Sequence, residues 1–123
     1  MIDAMSLALV AGGGAAGGLA RVTLAGLVAR RLGADFPWGT LAVNLTGAFL
    51  IGLAAATANP LDDQRLWQLG VIGFLGSYTT VSSFSLQTLV LLQAGRTGRA
   101  AANIVLSIGL GLSAAALGFW IVS

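Results

Sequence analysis

The chain reads as an all-α membrane protein with four transmembrane helices, the third of them broken near its middle. Three observations predict this. Of its 123 residues 57% are hydrophobic and 8% charged, with a mean hydropathy of +0.93, whereas an average soluble protein carries about 25% charged residues. The charges gather in three short clusters, Arg30/Arg31/Asp35, Asp62/Asp63/Arg65 and Arg96/Arg99. The apolar runs between the clusters approach the roughly 20 residues that cross a bilayer. Finally, between Gly73 and Gln87 the stretch GFLGSYTTVSSFSLQ sets a run of hydroxyls inside what would otherwise be an unbroken span. Hydrocarbon offers no water to those groups, so irregular backbone survives there only when packed in protein or lining a polar path.

The spans are expected at about 5–28, 37–57, 66–92 and 99–121, forming a single domain over residues 1–123. The first carries Gly12, Gly13, Gly14, Gly17 and Gly18, whose Gly13/Gly17 and Gly14/Gly18 spacings suit close helix contact. Gly12, Gly14 and Gly17 also match GxGxxG with Asp35 downstream, but no strand precedes them and the segment is membrane-length, so a dinucleotide site is not expected. The segment lacks a basic leader, begins MIDAMS and runs on into Arg21, so it is expected to remain as a span and not to be cleaved. Gly33 ends it. In loop one, RRLGADFPWGT, Asp35 is expected to cap a second helix with Pro37 in its first turn, where the missing N–H is harmless, and Trp38 marks the interface. The Asn59-Pro60 turn closes that helix, Asp62 and Asp63 complement the dipole of the next, and Trp67 anchors it.

The third span is too long for one ordinary crossing. Eight of the thirteen residues from 73 to 85 are glycine, serine or threonine (Gly73, Gly76, Ser77, Thr79, Thr80, Ser82, Ser83, Ser85), and a helix break is expected at about 76–81. Carbonyls freed at such a break are natural cation ligands. The fourth span ends near Trp120. Loops one and three hold four arginines against Arg65 alone on the side of the termini, so the positive-inside rule favours termini outside. The arginines read as membrane-flanking anchors, not as ligands for nucleic acid.

Several chemistries lack their residues. There is no cysteine and no histidine, hence no disulfide framework, thiolate metal site or imidazole chemistry, and no nucleophile, base or metal constellation of an enzyme. There is no glutamate, and the four aspartates fall at the N-terminus or in loops, so a proton-coupled multidrug antiporter of the small four-helix type lacks its membrane carboxylate.

The polar groups inside the spans carry the functional signal. Arg21 has two readings, snorkelling to the interface or placing positive charge in an anion-attracting vestibule. Asn44, in WGTLAVNLTG, is either interhelical glue or a pore-lining donor. In the third span Phe84 sits among hydroxyls that could each bond back to their own helix. An anion leaving water needs donors in place of its shell, and amides, hydroxyls and an aromatic edge supply them without a trapping charge. A non-transporting assembly subunit, with glycines and hydroxyls acting only as glue, is the remaining alternative.

Three motifs in order, GGGAAGGLAR ending in Arg21, WGTLAVNLTG around Asn44 and GFLGSYTTVSSFS, make the chain resemble the small four-helix fluoride channels, the Fluc or camphor-resistance-protein-B (CrcB) family, over nearly its whole length. The resemblance implies an antiparallel dual-topology dimer in the cell membrane, the inner membrane of a prokaryote, with two interfacial pores that passively export fluoride. By position it implies a pore lined by Asn44 and Phe84 and extended by Ser82, Ser83 and Ser85, with Ser107 on the fourth helix. It further implies a structural sodium ion (Na+) held by the backbone carbonyls of Gly76 and Thr79 from each subunit. The chain departs from the family at Val81, where a second phenylalanine is usual. Asn103 and Gly111, which share a face with Ser107, stand where hydroxyls are common. Slower transport, or a heterodimer with a second homologue inserted the other way up in place of a homodimer, is the expected consequence.

Overall fold

The computed structural model describes residues 3–57 and 64–122, and the helices account for nearly all of them. Helix α1 runs Ala4–Leu32, α2 Trp38–Thr57, α3 residues 64–78, α4 Val81–Gln93 and α5 Thr97–Val122. With α3 and α4 counted as one interrupted crossing, four segments are long and apolar enough to span a membrane. The 20 residues of α2 reach about 30 Å, the thickness of the hydrocarbon, and the 29 of α1 reach well past it. The expected Asn59-Pro60 turn and the Asp62/Asp63 helix start lie outside the described residues.

Caps set the ends of α1. The Asp3 carboxylate accepts the Ser6 N–H at 2.7 Å, and Gly33, at φ 90°, closes the helix with its N–H on the Ala29 carbonyl at 2.8 Å. Arg30 and Arg31 occupy the last turn, where cations complement the dipole, so α1 extends beyond the expected span and Arg21 lies deeper than its sequence reading placed it. Gly95, at φ 76°, ends α4 in the same manner, with the Arg96 N–H reaching back to the Leu91 carbonyl. Loop one differs from expectation: α2 begins at Trp38, with the Pro37 carbonyl accepting from Leu41 N. The Asp35 carboxylate faces Arg96 at 3.8 Å across solvent, so no cap from it is seen.

The helices pack backbone to backbone through glycine. A Cβ at Gly13 or Gly17 of α1 would collide with the Leu69 or Phe74 carbonyl oxygen of α3. Gly39 of α2 abuts Ala25 of α1, and α2 and α5 interlock reciprocally, Gly52 on Ala115 and Gly118 on Phe49. Apolar lipid gives helices little hydrophobic reason to associate, so this close fit supplies the van der Waals contact that holds them. The expected Gly13/Gly17 pairing is thus seen, with α3 as its partner. Buried side chains are few, Val43, Leu75 and Tyr78 forming the centre, while leucines, isoleucines and valines cover the outside. That inversion is what a lipid or a neighbouring subunit requires.

The third crossing is wound in an unforeseen way. Residues Trp67–Leu75 form a π-helix before one α-helical turn at Gly76–Tyr78. Such i→i+5 winding is rare and concentrates near functional sites. It brings Gly73 against Val10 and Gly13 of α1, and Gln68 Nε2 donates to Ser6 Oγ at 2.9 Å.

Candidate functional site

The break falls at Thr79 and Thr80, within the expected 76–81. Both residues are extended, at φ −78°, ψ 150° and φ −142°, ψ 119°. Asn44, projecting from α2, closes the gap: its Nδ2 donates to the Thr80 carbonyl at 2.9 Å and its Oδ1 accepts the Thr80 N–H at 2.8 Å. The side chain pairs with Thr80 as a neighbouring strand would, and satisfies both backbone groups of that residue. One amide hydrogen of Asn44 is left over. Thr80 then starts α4, its Oγ1 accepting the Ser83 N–H at 3.1 Å as an N-cap and lying 3.3 Å from Ser82 Oγ.

These pairings have a consequence for Gly76 and Thr79. In a continuous helix their carbonyls would accept from Thr80 N and Ser83 N, four residues on. Both of those donors are committed elsewhere, to Asn44 Oδ1 and Thr80 Oγ1. Neither carbonyl therefore receives the donor that a continuous helix would give it. Gly76 is exposed and Thr79 half-buried.

Around the break lie the other singled-out residues. Val81 is 77% exposed on the first turn of α4; Ser82 and Ser85 are exposed, Ser83 and Phe84 half-buried. Tyr78, buried and stacked on Phe74 with ring centroids 5.8 Å apart, shares a hydrogen bond of 2.7 Å with Thr46 and so ties α3 to α2 just before the break. Ser107 of α5 donates to Asn103 Oδ1 at 3.4 Å, and Asn103, 2% exposed, donates to Thr88 Oγ1 at 2.9 Å, joining α5 to α4. Gly111 lies one turn further along the same face.

Arg21 is half-buried near the middle of α1 and lines a cavity of 240 Å³ with Thr40, Val43, Thr80, Ser83 and Gln87. Its Nε is buried and lacks a hydrogen-bond partner, and so is Gln87 Oε1 across the same cavity. Arg21 is the only charged group among the described residues lining it. The guanidinium thus borders an electropositive space beside the hydroxyls of Thr40, Thr80 and Ser83.

Sequence reasoning missed Gln87, Thr88, Thr46 and Tyr78. Thr88 and Thr46 had a signal, since a polar residue inside a span calls for a partner, and Gln87 closes the very run of polar residues that marked the break. Tyr78 had only its hydroxyl to distinguish it.

Comparison with known proteins gives a consistent result. The family described as CrcB-like protein, Camphor Resistance (CrcB), matches residues 8–119. A protein of Bradyrhizobium diazoefficiens named fluoride-specific ion channel FluC 2 is 50% identical over 111 residues, covering 87% of this chain and 81% of that one. Its namesake in Rhodopseudomonas palustris is 51% identical over 117 residues, covering 92% and 89%. The fluoride-specific ion channel FluC of Opitutus terrae is 49% identical over 119 residues, covering 93% and 90%. With four membrane-length helices, the clamped break and a family match over nearly its whole length, the chain belongs to the CrcB-like family.

Proposed function

We propose that this chain forms a passive, fluoride-selective channel that lets cytoplasmic fluoride leave the cell, working as an antiparallel dimer with two pores. The observation that carries the reading is the juxtaposition of the half-buried Arg21, its Nε buried and unpaired, with the hydroxyl-rich break that Asn44 clamps. Names borne by relatives about half identical to this chain point the same way.

The steps follow from the groups present. Arg21 concentrates anions in its cavity, where no carboxylate opposes it among the described residues. From there the ion exchanges water for the hydroxyls of Thr80, Ser82 and Ser83, the free amide hydrogen of Asn44 and the edge of Phe84. Each is neutral, so the ion is stabilised without being trapped. Ser85 and Ser107 extend the polar track. Hydrogen fluoride crosses lipid and dissociates in the more alkaline cytoplasm, so a leak for the anion is enough to drain it. No coupling to protons is needed.

The carbonyls of Gly76 and Thr79, two from each subunit, would hold a structural sodium ion on the dimer axis. Their missing helical donors support this assignment. Val81, where the family's second phenylalanine is absent, faces outward where a partner subunit would lie, and that partner is either a second copy or a homologue of opposite orientation. Expressing this chain alone in a fluoride-sensitive bacterium tests the function: growth restored at otherwise inhibitory fluoride, and lost in Phe84→Ala, supports the channel. A membrane-inserted, dimeric protein that gives no protection supports a scaffold, or the need for a second homologue.

A further inference from the structure

Helix α3 leans on α1 and leaves room on its other side. Gly13, Gly17 and Gly73 bring the backbones of α1 and α3 together, whereas toward α2 a groove of 330 Å³ opens between Leu50, Ala54 and Thr57 of α2 and Trp67, Gly70 and Phe74 of α3. The groove runs inward from the side of the termini, and the stretch of α2 from Thr57 back to Leu50 covers about 10 Å at 1.5 Å per residue. Gly70 is not a packing glycine. A Cβ there would meet nothing within 4 Å, while one at Gly73 would strike the Val10 carbonyl oxygen at 2.8 Å. A glycine that no helix approaches keeps the surface low for something else. The hydroxyl of Thr57 donates back to the Leu53 carbonyl at 2.7 Å, so beyond Trp67 the lining side chains offer a ligand only apolar surface. At the outer end the Trp67 indole N–H and the exposed guanidinium of Arg65 are both donors. Arg65 is the only arginine on the side of the termini and forms no ion pair among the described residues.

The geometry points to a phospholipid site on this face, taken from the leaflet on the side of the termini. One acyl chain lies in the α2–α3 groove, and the phosphodiester and ester carbonyls, which only accept hydrogen bonds, meet Arg65 and Trp67. Donors at the rim and hydrocarbon within match a phospholipid from headgroup to chain, and a soluble anion would find no second charge here. An antiparallel second copy fits less well, because it would bring its arginine-rich loops to this surface, like charge facing Arg65. The lipid braces the π-helical stretch Trp67–Leu75, which supplies five of the lining residues and whose i→i+5 winding is the uncommon one. The site is independent of which ion the chain conducts.

Two readouts test it on the full chain in mild detergent. Native mass spectrometry reports phospholipid retained through purification, and a variant with Trp67 as its only tryptophan (Trp38→Phe with Trp120→Phe) reports contact. Phosphatidylglycerol brominated on its acyl chains should quench that tryptophan saturably. Gly70→Leu, whose side chain enters the groove, should lose both the retained lipid and the saturable quenching, with the oligomer unchanged on size exclusion. Arg65→Gln should raise the half-saturating lipid concentration about fivefold, the loss of one cation near the membrane surface. Wild-type protein that retains no phospholipid, or quenching that rises without saturation and equally in Gly70→Leu, overturns the site. So does a Gly70→Leu protein that dissociates while the wild type carries no lipid, the mark of a second copy in the groove. If Gly70→Leu does not fold, Arg65→Gln decides alone, and an unchanged half-saturating concentration overturns the site. Fluoride efflux is read in neither arm, so the channel reading stands or falls separately.

Discussion

The helix break and the Arg21 cavity are neighbours, sharing Thr80 and Ser83, yet they treat polar groups in opposite ways. At the break the polar groups next to the interruption are paired: Thr80 N–H and carbonyl on Asn44, Ser83 N–H on Thr80 Oγ1. In the cavity a guanidinium nitrogen and an amide oxygen are buried with nothing to bind. Both arrangements are expensive to keep inside a bilayer. The difference separates what holds the fold from what meets the ion. Paired polar groups maintain the interruption in the third span, and unpaired ones are the groups that a passing ligand completes.

Substitutions at the two places should therefore fail differently. The largest effect is expected from Asn44→Ala, which strands the Thr80 N–H and carbonyl at about 1–3 kcal/mol each. Fluoride efflux should drop to the level of empty vesicles and the thermal unfolding midpoint in detergent should fall with it. Efflux lost with an unchanged midpoint would make Asn44 a pure pore donor and blur the distinction. Next comes Arg21→Gln, expected to cut efflux about tenfold by removing the electropositive focus. Its midpoint should stay level or rise, because a half-buried charge whose Nε has no partner has been removed. A marked loss of stability there would place Arg21 with the structural groups. Thr88→Val, which breaks the bond from Asn103, should cost about 1 kcal/mol of stability and change efflux by no more than about twofold.

How much of this was readable in advance depended on whether the relevant physics is local. Hydropathy along the chain announces four spans, because burial in lipid is decided by composition over about 20 residues. Glycine and hydroxyl density announces the break, and the Gly13/Gly17 spacing announces a close contact without naming α3 as the partner. The π-helical winding of Trp67–Leu75 has no comparable signature, since it follows from how α3 must turn to lay Gly73 on α1. Asp35 looked like a cap because local sequence favours it there, but loop three brings Arg96 within 3.8 Å. Gln87 could not be recognised as a partner in the Arg21 cavity until the fold set these two residues, 66 apart in sequence, on one cavity.

The smallest effect concerns the end of α1, outside both regions. The Ser6 N–H, with help from the Ser6 side chain, holds the Asp3 carboxyl below its usual value of 3.8. A lowered folded value means that the cap's contribution is present above the unfolded pKa and is lost as pH falls through the folded one. Exchange of the Ser6 amide hydrogen, corrected for its intrinsic pH dependence, should lose protection on acidification through that range, and Asp3→Asn should remove the titration while keeping part of the protection. A protection profile that ignores pH would show that the carboxylate does not hold this end.

The central claim for this molecule is that neutral donors beside one half-buried arginine conduct the smallest halide. Purified protein reconstituted into potassium-loaded vesicles, with a fluoride-selective electrode outside and valinomycin to carry the counter-ion, measures this directly. Rapid release of fluoride with chloride retained in the parallel experiment is the predicted result. Vesicles that hold fluoride as tightly as protein-free lipid, or release both halides alike, would contradict it.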